Sequence, residues 1–210
     1  MIGDGLYKST DAGKTWARVG LAQSEHIGNI RIDPRNSNVV YVASQGPLWS
    51  AGGDRGVFKT SDGGQTWKNV LTVGDGKDTG ANEVMIDPNN PDVLYASMWQ
   101  RRRGVGQMIG GGPESGFYKS INAGGTWTKV TKGLPTGDVG RMALGVDPKA
   151  KPTRVYMLLN GLAGDSGFFR SDDAGTSFER MGAPYGKPGT PEAPQPCDTP
   201  AGGRRGGGGG

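Results

Sequence analysis

The residues that could do chemistry are few. Glu25, Asp54, Asp75, Asp78, Glu83, Glu114 and Asp138 are carboxylates that fall outside any repeated pattern. Two carboxylates at a defined separation can hydrolyse a glycosidic bond, but the spacing of these marks no pair. No nucleophile elbow or phosphate loop is present. His26 is the only histidine and Cys197 the only cysteine, so neither a histidine nor a cysteine metal site can be assembled, and no metal or cofactor is expected. His26 is expected to cap or line a loop. What remains is the run Trp99, Gln100, Arg101, Arg102 and Arg103. An aromatic face stacks on sugars, and guanidinium groups pair with carboxylates or phosphates. Two readings of this run stand side by side. It is a recognition surface, with Trp49 and His26 nearby, or a set of rim charges paired with Glu114, Asp78 or Asp138.

The elements that must position these residues are written in repeats. "GLYKSTDAGKTWARVG" (5–20) returns as "GVFKTSDGGQTWKNVL" (56–71), "GFYKSINAGGTWTKVT" (116–131) and "GFFRSDDAGTSFERMG" (167–182). Trp16, Trp67, Trp127 and Phe178 hold one place, at intervals of 51, 60 and 51 residues. Asp11, Asp62, Asn122 and Asp173 can accept backbone N–H groups within their own turn. Gly13, Gly64, Gly124 and Gly175 permit positive φ, and the hydroxyl residues at 15, 66, 126 and 177 can close the turn. The aromatic residue is expected to bury its area between neighbouring units. A catalytic residue is needed once, and this motif stands four times, so its role is read as structural.

A second signature interleaves with the first. "RIDPRNSNVVYVAS" (31–44), "MIDPNNPDVLYASM" (85–98) and "GVDPKAKPTRVYML" (145–158) share an Asp-Pro turn followed by a β-rich run. "IGNIRID" alternates as a half-buried strand does, and "NVVYVAS" reads as a central strand buried on both faces. A unit of about 50 to 60 residues with four strands has the size of a propeller blade. The sequence therefore predicts an all-β fold: part of a β-propeller forming an open arc. Blades span 27–72, 81–131 and 138–182, and a half blade spans 5–20. Closed propellers need about 4 to 8 blades, so the arc is expected to be a fragment of a larger ring, with the remaining blades as its partners.

Composition adds limits. The net charge of +4 is spread over interspersed signs, which argues against nucleic-acid binding. No apolar run reaches membrane-spanning length, so no membrane insertion is expected, and the sequence carries no signal peptide. Part of the 40 glycines lie in a tail, 183–210, dense in Pro and Gly. That composition predicts disorder. A linker and a truncated or frame-shifted end are both compatible with it.

In a blade, the turn between strands three and four lies on one face of the ring. The loops joining strands two and three, and those joining blades, share the other. The repeated turns take the first face, so any site is expected on the second. That face gathers residues 21–27, 44–55, 73–83, 98–115 and 133–141. The longest is 98–115, and it accounts for the one long interval.

"KSTDAGKTW", "KTSDGGQTW" and "RSDDAGTSF" resemble the Asp-box (BNR-like) repeats of sialidases, xyloglucan-cleaving glycosidases and sortilin-type receptors. "IDPNNPDVLYASMWQRRR" and "GGGPESGFYKS" are similar to bacterial exported proteins with a sortilin-like N-terminal propeller, often labelled glycosyl hydrolase. The resemblance covers residues 1–182 and departs from the pattern at Ser177 and Phe178. It implies a multi-bladed propeller, an extracellular, periplasmic or cell-surface location, and a polysaccharide or polypeptide ligand. A sialidase requires, as the resemblance implies, a Tyr nucleophile. Tyr7 and Tyr118 share one repeat position and Tyr41, Tyr95 and Tyr156 another, so sialidase activity is rejected. The expectation is a non-catalytic, ligand- or protein-binding propeller segment. The alternative is part of a xyloglucanase-like glycoside hydrolase whose active site needs blades missing from this chain.

Overall fold

The computed structural model describes residues 2–161 and 164–182. The Pro/Gly-rich segment 183–210 lies outside the described residues. Every regular element described is a strand. A first hairpin joins β1 (Leu6–Lys8) and β2 (Ala17–Gly20). The first full sheet holds β3 (Ile27–Ile32), β4 (Val40–Ser44), β5 (Gly56–Thr60) and β6 (Lys68–Leu71) in that order. The second runs β7 (Thr79–Ile86), β8 (Leu94–Gln100), β11 (Gly116–Ser120), β12 (Thr128–Val130), and carries a side hairpin of β9 (Arg102–Gly104) and β10 (Gln107–Ile109). The third is β13 (Val139–Asp147), β14 (Arg154–Gly161), β15 (Gly167–Ser171), β16 (Glu179–Gly182). All pairings are antiparallel. The chain is an open arc of three four-stranded sheets preceded by a hairpin.

The apolar pattern explains the stacking. Four of the five residues of β4 are buried, as befits a strand covered on both faces. Val57 faces the second sheet and Phe58 faces the hairpin, because side chains alternate along a strand. Tyr118 packs back on the first sheet and Phe117 forward on the third. The core is therefore three slabs: hairpin against first sheet around Leu6, Val42 and Phe58; first against second around Tyr41, Val57 and Val84; second against third around Tyr95, Phe117 and Met157.

Register places the same pair in each sheet. Tyr41 lies opposite Lys59, Tyr95 opposite Lys119, and Tyr156 opposite Arg170. Each first-to-second strand pair also shifts register near its start, at Ile27/Asn29, Ala81/Glu83 and Val139/Met142. Such bulges re-aim side chains. The second one turns Asn82 inward, where its Nδ2 donates to Met142 O (2.8 Å) and its Oδ1 accepts from Gln45 Nε2 (2.9 Å). One buried amide thus ties three sheets together.

Two segments differ from the sequence reading. Residues 79–83, grouped with a loop, already belong to β7. Gly80 is why they can: a Cβ there would stand 2.5 Å from Gln45 O, so only glycine lets β7 approach the previous sheet so closely. The 98–115 segment is not a plain loop either. It continues β8 to Gln100 and then folds back as the β9–β10 hairpin.

Candidate ligand-binding site

The repeated turns share one hydrogen-bond plan. In the second, Asp62 Oδ1 accepts from Thr66 N (2.9 Å), Asp62 Oδ2 accepts from Thr66 Oγ1 (2.6 Å), and Thr60 Oγ1 accepts from Gly64 N (3.0 Å). Asp11 and Asp173 repeat the plan with Thr15 and Ser177. The hydrogen bonds from Thr15 and Ser9 hold the Asp11 carboxyl at a pKa of about 2, and those from Thr60 and Thr66 lower that of Asp62. Burial alone would raise the Asp173 carboxyl, but bonds from Ser177 and Ser171 outweigh it and lower it. Asn122 builds the same turn without charge: Oδ1 accepts from Thr126 N (2.8 Å) and Nδ2 donates to Thr126 Oγ1 (3.0 Å).

Gly13, Gly64, Gly124 and Gly175 all have positive φ. At Gly175 a Cβ would also meet the Tyr95 ring of the preceding sheet at 2.9 Å. The turns thus dock on the sheet before them. Trp67 Nε1 donates to Val19 O (2.8 Å), Trp127 packs on the core between first and second sheets, and Phe178 meets Phe117 edge to face at 5.0 Å. Trp16 differs from the expectation of burial between units. It is 62% exposed, since no described residue stands on that side of the hairpin.

On the opposite face the loops are stitched around one residue that sequence reasoning missed. Arg55 is 3% exposed and has no carboxylate partner among the described residues. Its Nε donates to Gly52 O (2.9 Å), its Nη1 to Gln45 O (2.6 Å), Asp78 O (3.3 Å) and Arg101 O (3.4 Å), and its Nη2 to Pro47 O and Ser50 O (3.1 Å). Burial lowers its pKa. One guanidinium thereby pins loops 44–55, 73–78 and 98–115. The available signal was positional: Arg55 stands just before a repeat glycine where later units have Ser115 and Ser166.

The predicted site residues gather here unevenly. Loop 21–27 is joined to 44–55 through Gln23 N to Asp54 Oδ2 (2.9 Å), and His26 Nδ1 lies 3.3 Å from Gly46 O. Arg103 N donates to Leu48 O (2.8 Å), which ties the β9–β10 hairpin to the segment that carries Trp49. Trp49 is 61% exposed and Arg103 is exposed, so these two offer free surface. Trp99 offers less. The Arg101 guanidinium covers its ring at 4.5 Å, and its Nε1 donates to Gly110 O (2.9 Å). Arg101 also donates to Gln45 Oε1 (3.1 Å), and Arg102 pairs with Asp78 at 2.9 Å. Between the second and third sheets, a cleft of about 380 Å³ opens on this face, lined by Pro113, Lys129, Leu134, Asp138 and Met142.

The off-pattern carboxylates are mostly engaged. Asp54 takes Gln23 N, Asp75 pairs with Lys77, Asp78 with Arg102, Glu83 takes Leu144 N, and Glu114 takes the Thr79 hydroxyl. Among the described residues no cluster of three or more His, Cys, Asp or Glu could hold a metal.

Residues 4–134 match the family model Sortilin-Vps10, described as sortilin, neurotensin receptor 3. The chain belongs to the Sortilin-Vps10 family. This Sortilin-Vps10 chain is also 27% identical to a xyloglucanase of Paenibacillus sp., covering 85% of itself and 18% of that protein. It is 27% identical to a xyloglucanase of Hypocrea jecorina, covering 86% and 23%. Among solved structures, it superposes on the GH74 xyloglucanase from Xanthomonas campestris with TM-score 0.62 at 20% identity, over 87% of this chain and 27% of that one. An ancestral GH74 enzyme gives TM-score 0.60 at 19% identity, over 86% and 22%. The shared fold is that of propeller enzymes, and the chain spans about a fifth of the length of the curated relatives it matches.

Proposed function

We propose that this chain is a non-catalytic, ligand-binding segment of a propeller exported to the cell surface, periplasm or medium, and that its ligand is a polysaccharide. The observation that carries the reading is the exposure of Trp49 and Arg103 on two segments joined by the Arg103 N–Leu48 O hydrogen bond, in loops tied together by the buried Arg55. An exposed aromatic surface and a guanidinium on a linked segment suit a sugar face and its hydroxyl or carboxyl groups. The two relatives named xyloglucanases support a β-glucan backbone as the first ligand to try. The test is calorimetric titration with xyloglucan oligosaccharides. Trp49→Ala and Arg103→Gln should each weaken binding about tenfold or more, a loss of about 1.4 kcal/mol, with the unfolding transition unmoved. Equal affinity in both variants places the ligand elsewhere, with the cleft beside Asp138 next in line.

A second reading is favoured by those same names: the segment supplies blades to a glycoside hydrolase. Two carboxylates would then have to come free to act. Release of reducing ends from xyloglucan by the 210-residue chain would establish that reading over the first. The polypeptide alternative is tested on a peptide array with the same variants.

A further inference from the structure

Arg141, on the third sheet, belongs to the same face as the β9–β10 hairpin, and nothing above assigns it a role. Segment 110–112 lies against the start of β13. Gly112 N donates to Val139 O (3.1 Å), and the two residues form an isolated bridge. A Cβ on Gly140 would stand 2.8 Å from Gly110 O, and one on Gly111 would stand 2.8 Å from Val139 O. Glycine on both sides thus permits the approach. Gly110 O also accepts from Trp99 Nε1 (2.9 Å), and the Trp99 ring carries the Arg101 guanidinium at 4.5 Å. Arg141 follows Gly140 in the bulge between Val139 and Met142, which are both buried, and is itself exposed. Bulges re-aim side chains, and this one turns a guanidinium outward next to the strip that holds Trp99 and Arg101.

Charge is unbalanced at this place. Arg102 has Asp78 at 2.9 Å. Arg101 has the neutral Gln45 Oε1 (3.1 Å) and the Trp99 ring. Among the described residues the side chains of Arg103 and Arg141 have neither a carboxylate nor a hydrogen-bond acceptor. Burial, and after it the positive charges of Arg103 and Arg141, lower the pKa of Arg101, with no carboxylate acting against them. An anion placed among like charges relieves their repulsion. Guanidinium groups hold a carboxylate through paired, charge-assisted hydrogen bonds.

We infer that Arg101, Arg103 and Arg141 form a site for the carboxylate of an acidic sugar, so that the saccharide this chain takes carries uronic-acid residues. Arg103 and Arg141 supply open forks, and Arg101, held on Trp99, supplies a fixed charge. The sugar ring has the exposed Trp49 on the segment tied to Arg103 through Leu48 O. The inference rests on the saccharide reading above for the body of the ligand and adds its charge.

Calorimetric titration of the 210-residue chain with trigalacturonate and with its fully methyl-esterified form compares one sugar backbone with and without charge. The acid should bind about tenfold or more tightly than the ester. Arg141→Gln should remove most of that preference, and Arg141→Lys, which keeps the charge without the fork, should restore only part of it. Thermal melts check that each variant is folded, and Arg103→Gln serves as a second variant of the site. Equal affinity for acid and ester overturns the inference and leaves the saccharide reading standing. Binding of neither overturns it too, and xyloglucan oligosaccharides then decide the saccharide reading separately. A preference that survives both Arg103→Gln and Arg141→Gln places the charge recognition elsewhere and overturns the inference. So does displacement of the acid by inorganic sulfate at equal concentration, which marks a site for an adventitious ion only.

Discussion

Asp62 and Asn122 build the same turn with different charge, so the carboxylate is used there for its acceptor geometry. Asp62→Asn should therefore lower the melting temperature less than Asp62→Ala, which removes every acceptor at once; differential scanning calorimetry separates the two. The charge does set the acid response. Folded pKa values of Asp11, Asp62 and Asp173 lie below the unfolded value near 3.8. Depressed carboxylates favour the folded state fully above that unfolded value, and their contribution is lost as pH falls through the folded values. Stability should thus fall between about pH 4 and pH 2, and less steeply in Asp62→Asn, as thermal melts across that range will show. Arg55 carries a different prediction. Arg55→Ala strands carbonyls of three loops and should cost on the order of 3 kcal/mol. Arg55→Lys should fail to rescue, because an ammonium cannot span the same fork of acceptors.

The element is the docked turn, and its aromatic residue shows how docking varies. Trp67 Nε1 has Val19 O as acceptor, while Trp127 Nε1 is buried without a partner among the described residues. Trp67→Phe removes a hydrogen bond as well as ring volume and should cost about 2 kcal/mol. Trp127→Phe relieves an unpaired donor and should cost less than half of that; chemical denaturation compares them. Phe178 already makes this choice in the last unit. Gly175→Ala meets both a left-handed backbone (φ +74) and the Tyr95 ring, so about 2 kcal/mol is expected. The element scale also explains what spacing could not reveal. The interval of 60 residues flagged an insertion at 98–115, but a β9–β10 hairpin leaning on Leu48 needs a partner distant in sequence.

For the whole molecule, the sheets form a stack of like apolar contacts. A stack of like contacts also predicts that damage at one interface spreads only to its neighbours, as in other repeat architectures.

The repeat period, the alternation within strands and the Asp-Gly turn chemistry are local properties. They were legible without coordinates because a turn's acceptors and a strand's faces depend on residues a few positions apart. They determined the all-β class, the four-strand unit and the hydrogen-bond plan around Asp11, Asp62, Asn122 and Asp173. Tertiary structure alone decided which side chains of one loop are free. Arg101 and Arg102 look alike in sequence to Arg103, yet the first lies on Trp99 and the second on Asp78. Arg55 became a hub because three loops bring their carbonyls to one buried point. A desolvated guanidinium must satisfy its donors with whatever distant backbone surrounds it, and no spacing rule in one dimension encodes that convergence.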